Sequence, residues 1–443
     1  MTTTRSRPLL AVVYDAGSVP AGEIGSGLDE LGEIVFLVPP GSAHVELMRP
    51  VMELLGEVRT LSGVPERDAA LVRALRPDAL FTFSEGMIRT AADLGAACGL
   101  PGHSPHTARL FTDKALQRRA LREAGVERTR TRLVETPEAW PSALAAVGLP
   151  AIVKPVTGWC SRDTYSMRTP EEAEAAWAAV TGATAEAGWS PFVVEEFFEG
   201  RPSGPFGDYV SVESARTRDG IVHFALTGKT PVMPPFRGTG RIWPSPLPAA
   251  EEAEILDLVT RALEAVGTGP GLTHTEVKLT PGGPRVIEIN GRISGYVNMM
   301  ARESVGVDLV RAAGLIALGR DPGLGPFDFG GRVHFQYNNL APLYPCRLEG
   351  VHGAERVRAL PGVTAYRNFV RPGDELSGTS QTMTLDTVSG VCDSHESVIR
   401  TIEAARAALD FEFRSERGVH RVNGLDLHRD REEDVSPHGS LRA

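Results

Sequence analysis

Short apolar runs separated by amphipathic stretches open the chain. LLAVVYDAG, EIVFLVPP and DALFTFS read as strands, and the stretches near 25–31 and 45–55 space their apolar residues as helices do. Such alternation predicts a doubly wound α/β domain with a parallel sheet over residues 8–110. From Thr112 the pattern changes. TDKALQRRALREAGV has a capping start, helical spacing and a Gly stop, which makes an amphipathic helix with Lys114 in its first turn. LPAIVKPVTGWCSRDTYSM gives a buried-type strand bearing Lys154, a loop of small residues and a new helix from about Thr169, so residues 111–194 form one subdomain. In residues 195–325, SPFVVEEFFEG ends a strand and GDYVSVESARTRDGIVHFALTGKT is a hairpin turning at Asp219-Gly220. Both are expected in one antiparallel or mixed sheet. The helix EEAEILDLVTRALEAVG and a further helix SVGVDLVRAAGLIALG complete this part. A linker at 322–331 leads to a small separate β-rich module over 330–413, closed by the helix SHESVIRTIEAARAAL. The charged segment 414–443 reads as a disordered tail.

The stretch with the densest chemistry is GLTHTEVKLTPGGPRVIEINGRISG, residues 271–295. Apolar and polar residues alternate on both sides of Pro281-Gly282-Gly283, predicting a hairpin with a three-residue loop. That register sets Glu276 opposite Glu288, Lys278 opposite Val286 and His274 opposite Asn290, all on one face. Two carboxylates facing across strands repel, so the pair calls for a cation. A hard divalent metal such as magnesium, completed by water and phosphate oxygens, meets that need. Arg292 beyond the strand adds a fixed charge for an anionic substrate or intermediate. The same residues also fit a solvated hairpin face on which Lys278 and Arg292 balance the acids.

Composition narrows the field. With 443 residues, two to four domains are expected, with room for a site between them. The net charge of −10, without a basic stripe, argues against nucleic acid and anionic membrane as partners and for a small molecule. Four cysteines with no paired spacing suit a reducing cytoplasm, and no run of about 18 apolar residues predicts a membrane span. The 46 basic residues include only four lysines, Lys114, Lys154, Lys229 and Lys278, which enriches these four for sites needing a compact ammonium. A lysine in a first helical turn opposes the helix dipole unless it faces an anion. Small residues after a strand lysine let backbone N–H groups approach a polyphosphate. Gly25-Ser26-Gly27 lacks the spacing of a dinucleotide fingerprint. His103 and His106 lie in a Pro/Gly-punctuated loop where exposed histidines are ordinary. The proline-rich stretch 231–248 reads as an active-site loop, with Arg237, Arg241 and Trp243 suited to gripping a carboxylate and an apolar or aromatic side chain, or as plain surface.

Taken in order, a helix lysine, a strand lysine before a small-residue loop, an EEFFEG hinge and a glutamate hairpin ending in ExNxR resemble the ATP-grasp superfamily of carboxylate–amine ligases. THTEVKL and the ExxxR from Glu288 to Arg292 are similar to the L-amino-acid ligases that make dipeptides. The resemblance covers about residues 112–319 and implies an ATP-grasp fold with acyl-phosphate chemistry. It places Lys114 and Lys154 on the ATP phosphates, under the loop from Gly158 through Ser161 to Ser166. Glu195 and the backbone of Phe197 and Phe198 would meet adenine, Asp208 is the nearest candidate for ribose, and Lys278 lies beside the nucleotide. Glu276, Glu288 and Asn290 would hold two magnesium ions, with manganese as a substitute. Arg292 would stabilise the acyl phosphate, and Ser294 and Gly295 would join Arg237, Arg241 and Trp243 around the substrates. A homodimer through the N-terminal domain is implied too. Trp159 and Cys160 are bulky for the family's loop. Rival readings are a carboxylase or purine-pathway ligase using bicarbonate or formate, and a non-catalytic nucleotide-binding scaffold or sensor.

Overall fold

A computed structural model describes residues 6–158, 161–378 and 382–427. Trp159, Cys160 and residues 428–443 lie outside that set. In the N-terminal domain, β1 (Leu9–Val13), β2 (Glu33–Val38), β3 (Glu57–Thr60) and β4 (Ala79–Phe81) form a parallel sheet in the order β3-β2-β1-β4. The nearly continuous apolar run of β1 and β2 is what a strand covered on both faces requires.

The next sheet is antiparallel, with β5 (Thr131–Val134), β6 (Ala151–Pro155), β7 (Tyr165–Met167) and β8 (Phe192–Glu196) in the order β5-β8-β6-β7. It corrects the expectation that Phe192–Glu196 joins the sheet of the hairpin. Val193 and Val194 are fully buried here, and every strand neighbour of β8 comes from within this subdomain.

The large sheet has eight strands. It contains β9 (Tyr209–Thr217), β10 (Gly220–Lys229), β11 (Gly240–Trp243), β12 (Gly271–Thr280), β13 (Gly283–Asn290) and β14 (Val333–Leu340). Beyond β15 (Cys346–His352) it also takes in β16 (Val363–Asn368) and, beyond the short β17 (Glu375–Leu376), β18 (Thr384–Cys392). Its order is β13-β12-β9-β10-β11-β14-β18-β16. The C-terminal module is therefore not separate, because β14 hydrogen-bonds to β11 from Gly240–Tyr337 to Trp243–His334. Nor is the stretch before it a free linker, since Phe327 and Phe329 pack on Trp243 with ring centroids 5.8 Å away.

The expected tail is corrected as well. Residues 410–423 form β19 (Asp410–Ser415) and β20 (Gly418–Asn423), paired with each other and, through β19, with β15. His420 and Val422 point inward from a strand whose other residues are exposed or half-buried, and Val422 is fully buried beside Phe411 and Phe413. That two-residue period was hidden by its polar neighbours.

Candidate active site

Glu276 stands opposite Glu288 and His274 opposite Asn290, as the alternation predicts. The turn differs. Thr280 pairs with Gly283 across a two-residue turn, and a bulge at Ile287 restores the register, so that Lys278 faces Arg285 rather than Val286. Val286 turns to the opposite face and is fully buried in the core. Arg285 takes its place with bonds to Glu127 Oε2 (2.9 Å) and Glu196 Oε1 (3.0 Å), and its guanidinium lies 4.3 Å from the Phe198 ring centre.

Each glutamate of the facing pair is met by a basic side chain. Lys114, first residue of the helix Lys114–Glu123 capped by Asp113, reaches Glu288 Oε1 at 2.9 Å and the Gly158 carbonyl at 3.0 Å. Burial works against its charge, yet Glu288, Glu85 and Glu195 hold its pKa above the ordinary lysine value. His274 donates from Nε2 to Glu276 (3.3 Å), while its Nδ1 lies 2.8 Å from Glu213 Oε1. Although burial opposes protonation, the two carboxylates raise the pKa of His274. Burial alone would raise Glu276, but the His274 hydrogen bond and the charges of His274, Lys229 and Arg292 bring it down to about 2.

Lys154 is buried, and its ammonium sits 2.7 Å from Glu195 Oε2. Arg118 bonds both Glu195 oxygens, at 3.0 and 3.3 Å, and two carbonyls of β13. Glu195, 2% exposed, is thereby held ionised, with a pKa of about 2 despite its burial. This places the Glu195 carboxylate as the counter-ion that seats Lys154 rather than as a group open to adenine. The Phe197 N–H is also engaged, on the Pro150 carbonyl at 3.0 Å. Phe198 lies under Arg285, and Phe197 under Arg168 at 4.8 Å.

The remaining candidates divide. Asp208 and Lys278 pair at 2.7 Å. Ser161, with a left-handed φ of 56°, donates to the Phe236 carbonyl at 3.0 Å, which ties the phosphate-side loop to the proline-rich loop. Ser166 sits on β7 opposite Ile152. Arg292 pairs with Glu85 of the N-terminal domain at 2.9 Å. Ser294 and Gly295 form the half-buried turn into the helix Val297–Val305. Two expected substrate groups are structural instead. Trp243 is fully buried and donates from Nε1 to Thr227 Oγ1 (2.8 Å), and Arg237, 4% exposed, bonds the Pro234 and Ala341 carbonyls. Arg241 is half-buried on β11, its guanidinium 5.5 Å from the Tyr296 ring centre.

Sequence reasoning left out Arg118, Glu213, Glu85 and Lys229. Lys229 carried a signal as one of only four lysines. It is 6% exposed, and burial together with Arg241 lowers its pKa to about 8. The other three are reached only through contacts between residues distant in the chain.

Two carboxylates and the carboxamide of Asn290 are hard oxygen donors and fit magnesium. Among the described residues no group of three His, Cys, Asp or Glu side chains gathers as a metal cage. A divalent ion here would thus take its remaining ligands from water and phosphate, as magnesium usually does.

No protein-family model matches the chain. An alanine–anticapsin ligase of Bacillus subtilis is 28% identical over 287 residues, 61% of this chain and 58% of that protein. The chain thus spans little more than half the length of the curated relatives it matches. An L-amino acid ligase from Bacillus licheniformis superposes with a TM-score of 0.69 at 21% identity, over 92% of this chain and 98% of that one. The fold is that of the ATP-grasp superfamily. A second ATP-grasp structure, the biotin carboxylase domain dimer of Hydrogenobacter thermophilus 2-oxoglutarate carboxylase with ADP, MgADP and bicarbonate, has a TM-score of 0.66 at 17% identity, covering 99% of this chain and 96% of that one.

Proposed function

We propose that the protein is an ATP-dependent ligase that phosphorylates a carboxylate and joins the acyl phosphate to an amine, releasing ADP and phosphate. One observation carries the reading. Lys114, the loop glycine Gly158 and the hairpin acid Glu288 come from three separate parts of the chain and meet within 3.0 Å.

In this reading Lys114 and Lys154 bind phosphate oxygens, and the loop from Gly158 shields them from water. Glu276, Glu288 and Asn290 would hold two magnesium ions, with manganese as a substitute; bound there, the metal supplies positive charge that screens the transferring phosphoryl group. Glu213 fixes His274, and His274 in turn orients Glu276. Arg292 stabilises the charge that develops on the acyl phosphate, and exchanging Glu85 for that anion is how it becomes available. Arg241 grips a substrate. The substrates are small, amino acids or their relatives. The dimer seen in the carboxylase neighbour supports a homodimer, and we place the protein in the cytoplasm.

Incubation with ATP, magnesium and pooled amino acids should release ADP and give coupled products by mass spectrometry. ADP release with bicarbonate or formate alone would move the protein to the carboxylase or formyl-transfer chemistry. Absence of release with every acid and amine would leave a nucleotide-binding scaffold.

A further inference from the structure

Lys229 on β10 and Arg241 on β11 are direct cross-strand partners. Like charges so placed destabilise a sheet, just as the facing glutamates of the hairpin do. The glutamates are offset by Lys114 and His274. Among the described residues neither Lys229 nor Arg241 has a carboxylate within 4.0 Å; Glu213 and Glu276 act on both only from farther away.

The row continues across two more strands. Arg241 faces Gln336 on β14, and Gln336 faces Ser389 on β18. Gln336 is 1% exposed and Ser389 2%. Among the described residues the Arg241 Nε, both amide atoms of Gln336 and the Ser389 hydroxyl, all buried, have no hydrogen-bond partner. Buried polar groups are nearly always satisfied, so four such atoms in one line on one face mark a place where a ligand supplies the partners. Tyr296, held at a left-handed φ of 66°, has its ring centre 5.5 Å from the Arg241 guanidinium and 5.3 Å from that of Phe369, the two rings tilted by 49°.

We infer that Lys229, Arg241, Gln336 and Ser389 form a subsite for a substrate carboxylate other than the one that is phosphorylated. A carboxylate offers only acceptors, which suits two cations, the Gln336 amide N–H and the Ser389 hydroxyl, and an N–H of the same substrate would meet the Gln336 Oε1. Two strand spacings, about 10 Å, separate the β12 carrying Glu276 from the β10 carrying Lys229. A dipeptide-sized product, about 7 Å of extended backbone plus its terminal groups, reaches across that span. The carboxylate is either the side chain of an acidic donor or the α-carboxylate of the amine substrate. Its description as a substrate group rests on the ligase reading; the anion site itself does not.

Two measurements test it. In the first, thermal unfolding is followed without nucleotide. Lys229→Met relieves the repulsion from Arg241 but also removes a charge that lowers the Glu276 pKa, so its own melting temperature serves as the baseline for the ligand shift. Succinate should raise that of the wild-type protein and bind at least tenfold more weakly to Lys229→Met and to Gln336→Leu. Succinate binding unaltered in Lys229→Met and Gln336→Leu, or no succinate shift in the wild-type protein, overturns the subsite. In the second, ADP release is compared for aspartate and glutamate against asparagine and glutamine as donors, and for amino acids against their amides as acceptors. Tenfold or greater preference for the carboxylate in one arm, collapsing in both variants, is expected and tells which source is read. Equal rates with the neutral analogues in both arms overturn the inference while leaving the ligase reading intact. If no pair releases ADP, the ligase reading falls and the succinate result alone decides the anion site.

Discussion

Lys114 and Glu288, 174 positions apart, meet at 2.9 Å and are both largely shielded from solvent. The lysine that would bind phosphate is thus parked on the acid that would bind metal. A metal–nucleotide complex bound there would give Glu288 the metal and Lys114 the phosphates as new partners. Glu288→Gln should cut ADP formation at least a hundredfold, about 2.7 kcal/mol of transition-state stabilisation. Lys114 keeps the Gly158 carbonyl, so the melting temperature should shift by only a few degrees. Unchanged ADP formation would refute the metal-site assignment.

Glu195→Gln strips the counter-ion from Arg118 and Lys154 together. Removing one partner of a buried ion group costs about 3–5 kcal/mol, which urea denaturation reads directly. Glu195→Gln should also weaken ATP binding, since Lys154 loses its anchor. Lys154→Arg should not restore the binding lost in Lys154→Ala, because a second planar guanidinium must compete with Arg118 for the same carboxylate.

Arg237 and Arg241 lie four residues apart in one loop, yet their substitutions should part company. Arg241→Ala should raise the apparent KM of the native substrate pair tenfold or more, about 1.4 kcal/mol, with ATP affinity unchanged. Arg237→Ala should cost about 1–3 kcal/mol of stability by leaving the Ala341 carbonyl without its donor, and the substrate profile should stay as it was. An altered profile in Arg237→Ala alone would reverse the two roles.

Asp386 gives a pH signature far from the nucleotide. Burial raises its carboxyl to about 7 from the usual 3.8, against hydrogen bonds from Asn339 and Tyr366. The folded protein therefore keeps a proton that the unfolded chain releases near pH 4. The stability this contributes is full below that pH and is lost as pH rises through about 7. Between pH 5 and 8 the loss is about 2–3 kcal/mol, and Asp386→Asn should flatten it. Parallel stability curves for the two proteins would disprove the assignment.

The strand and helix periods of the sequence carried the N-terminal sheet, the hairpin and the pairing of Glu276 with Glu288, because those depend on local alternation. Lys114 was legible as a helix-start lysine facing an anion, though which anion was not. The fate of Glu195 was hidden, since a glutamate ending a strand reads the same whether it meets adenine or Arg118. Trp243 and Arg237 misled because a proline-rich loop looks exposed, while the four residues of β11 buried inside it are too few to show a period. The bulge at Ile287 was equally silent; one extra residue in a strand leaves no mark until its partner strand is in place.

The eight-stranded sheet runs straight through the point where the chain passes from the glutamate hairpin and its helices to the C-terminal module. A cut at Gly331 would bare β11 along its length, an edge of four residues with Arg241 at its centre, and strip the line of Gln336 and Ser389 from the rest of the row. As a cassette for recombination the module is unusable, because a cut at the seam breaks the β11–β14 ladder. A workable chimera has to carry β9 to β14 with β16 and β18 as one inheritance unit and exchange only the N-terminal domain or the small sheet of β5 to β8.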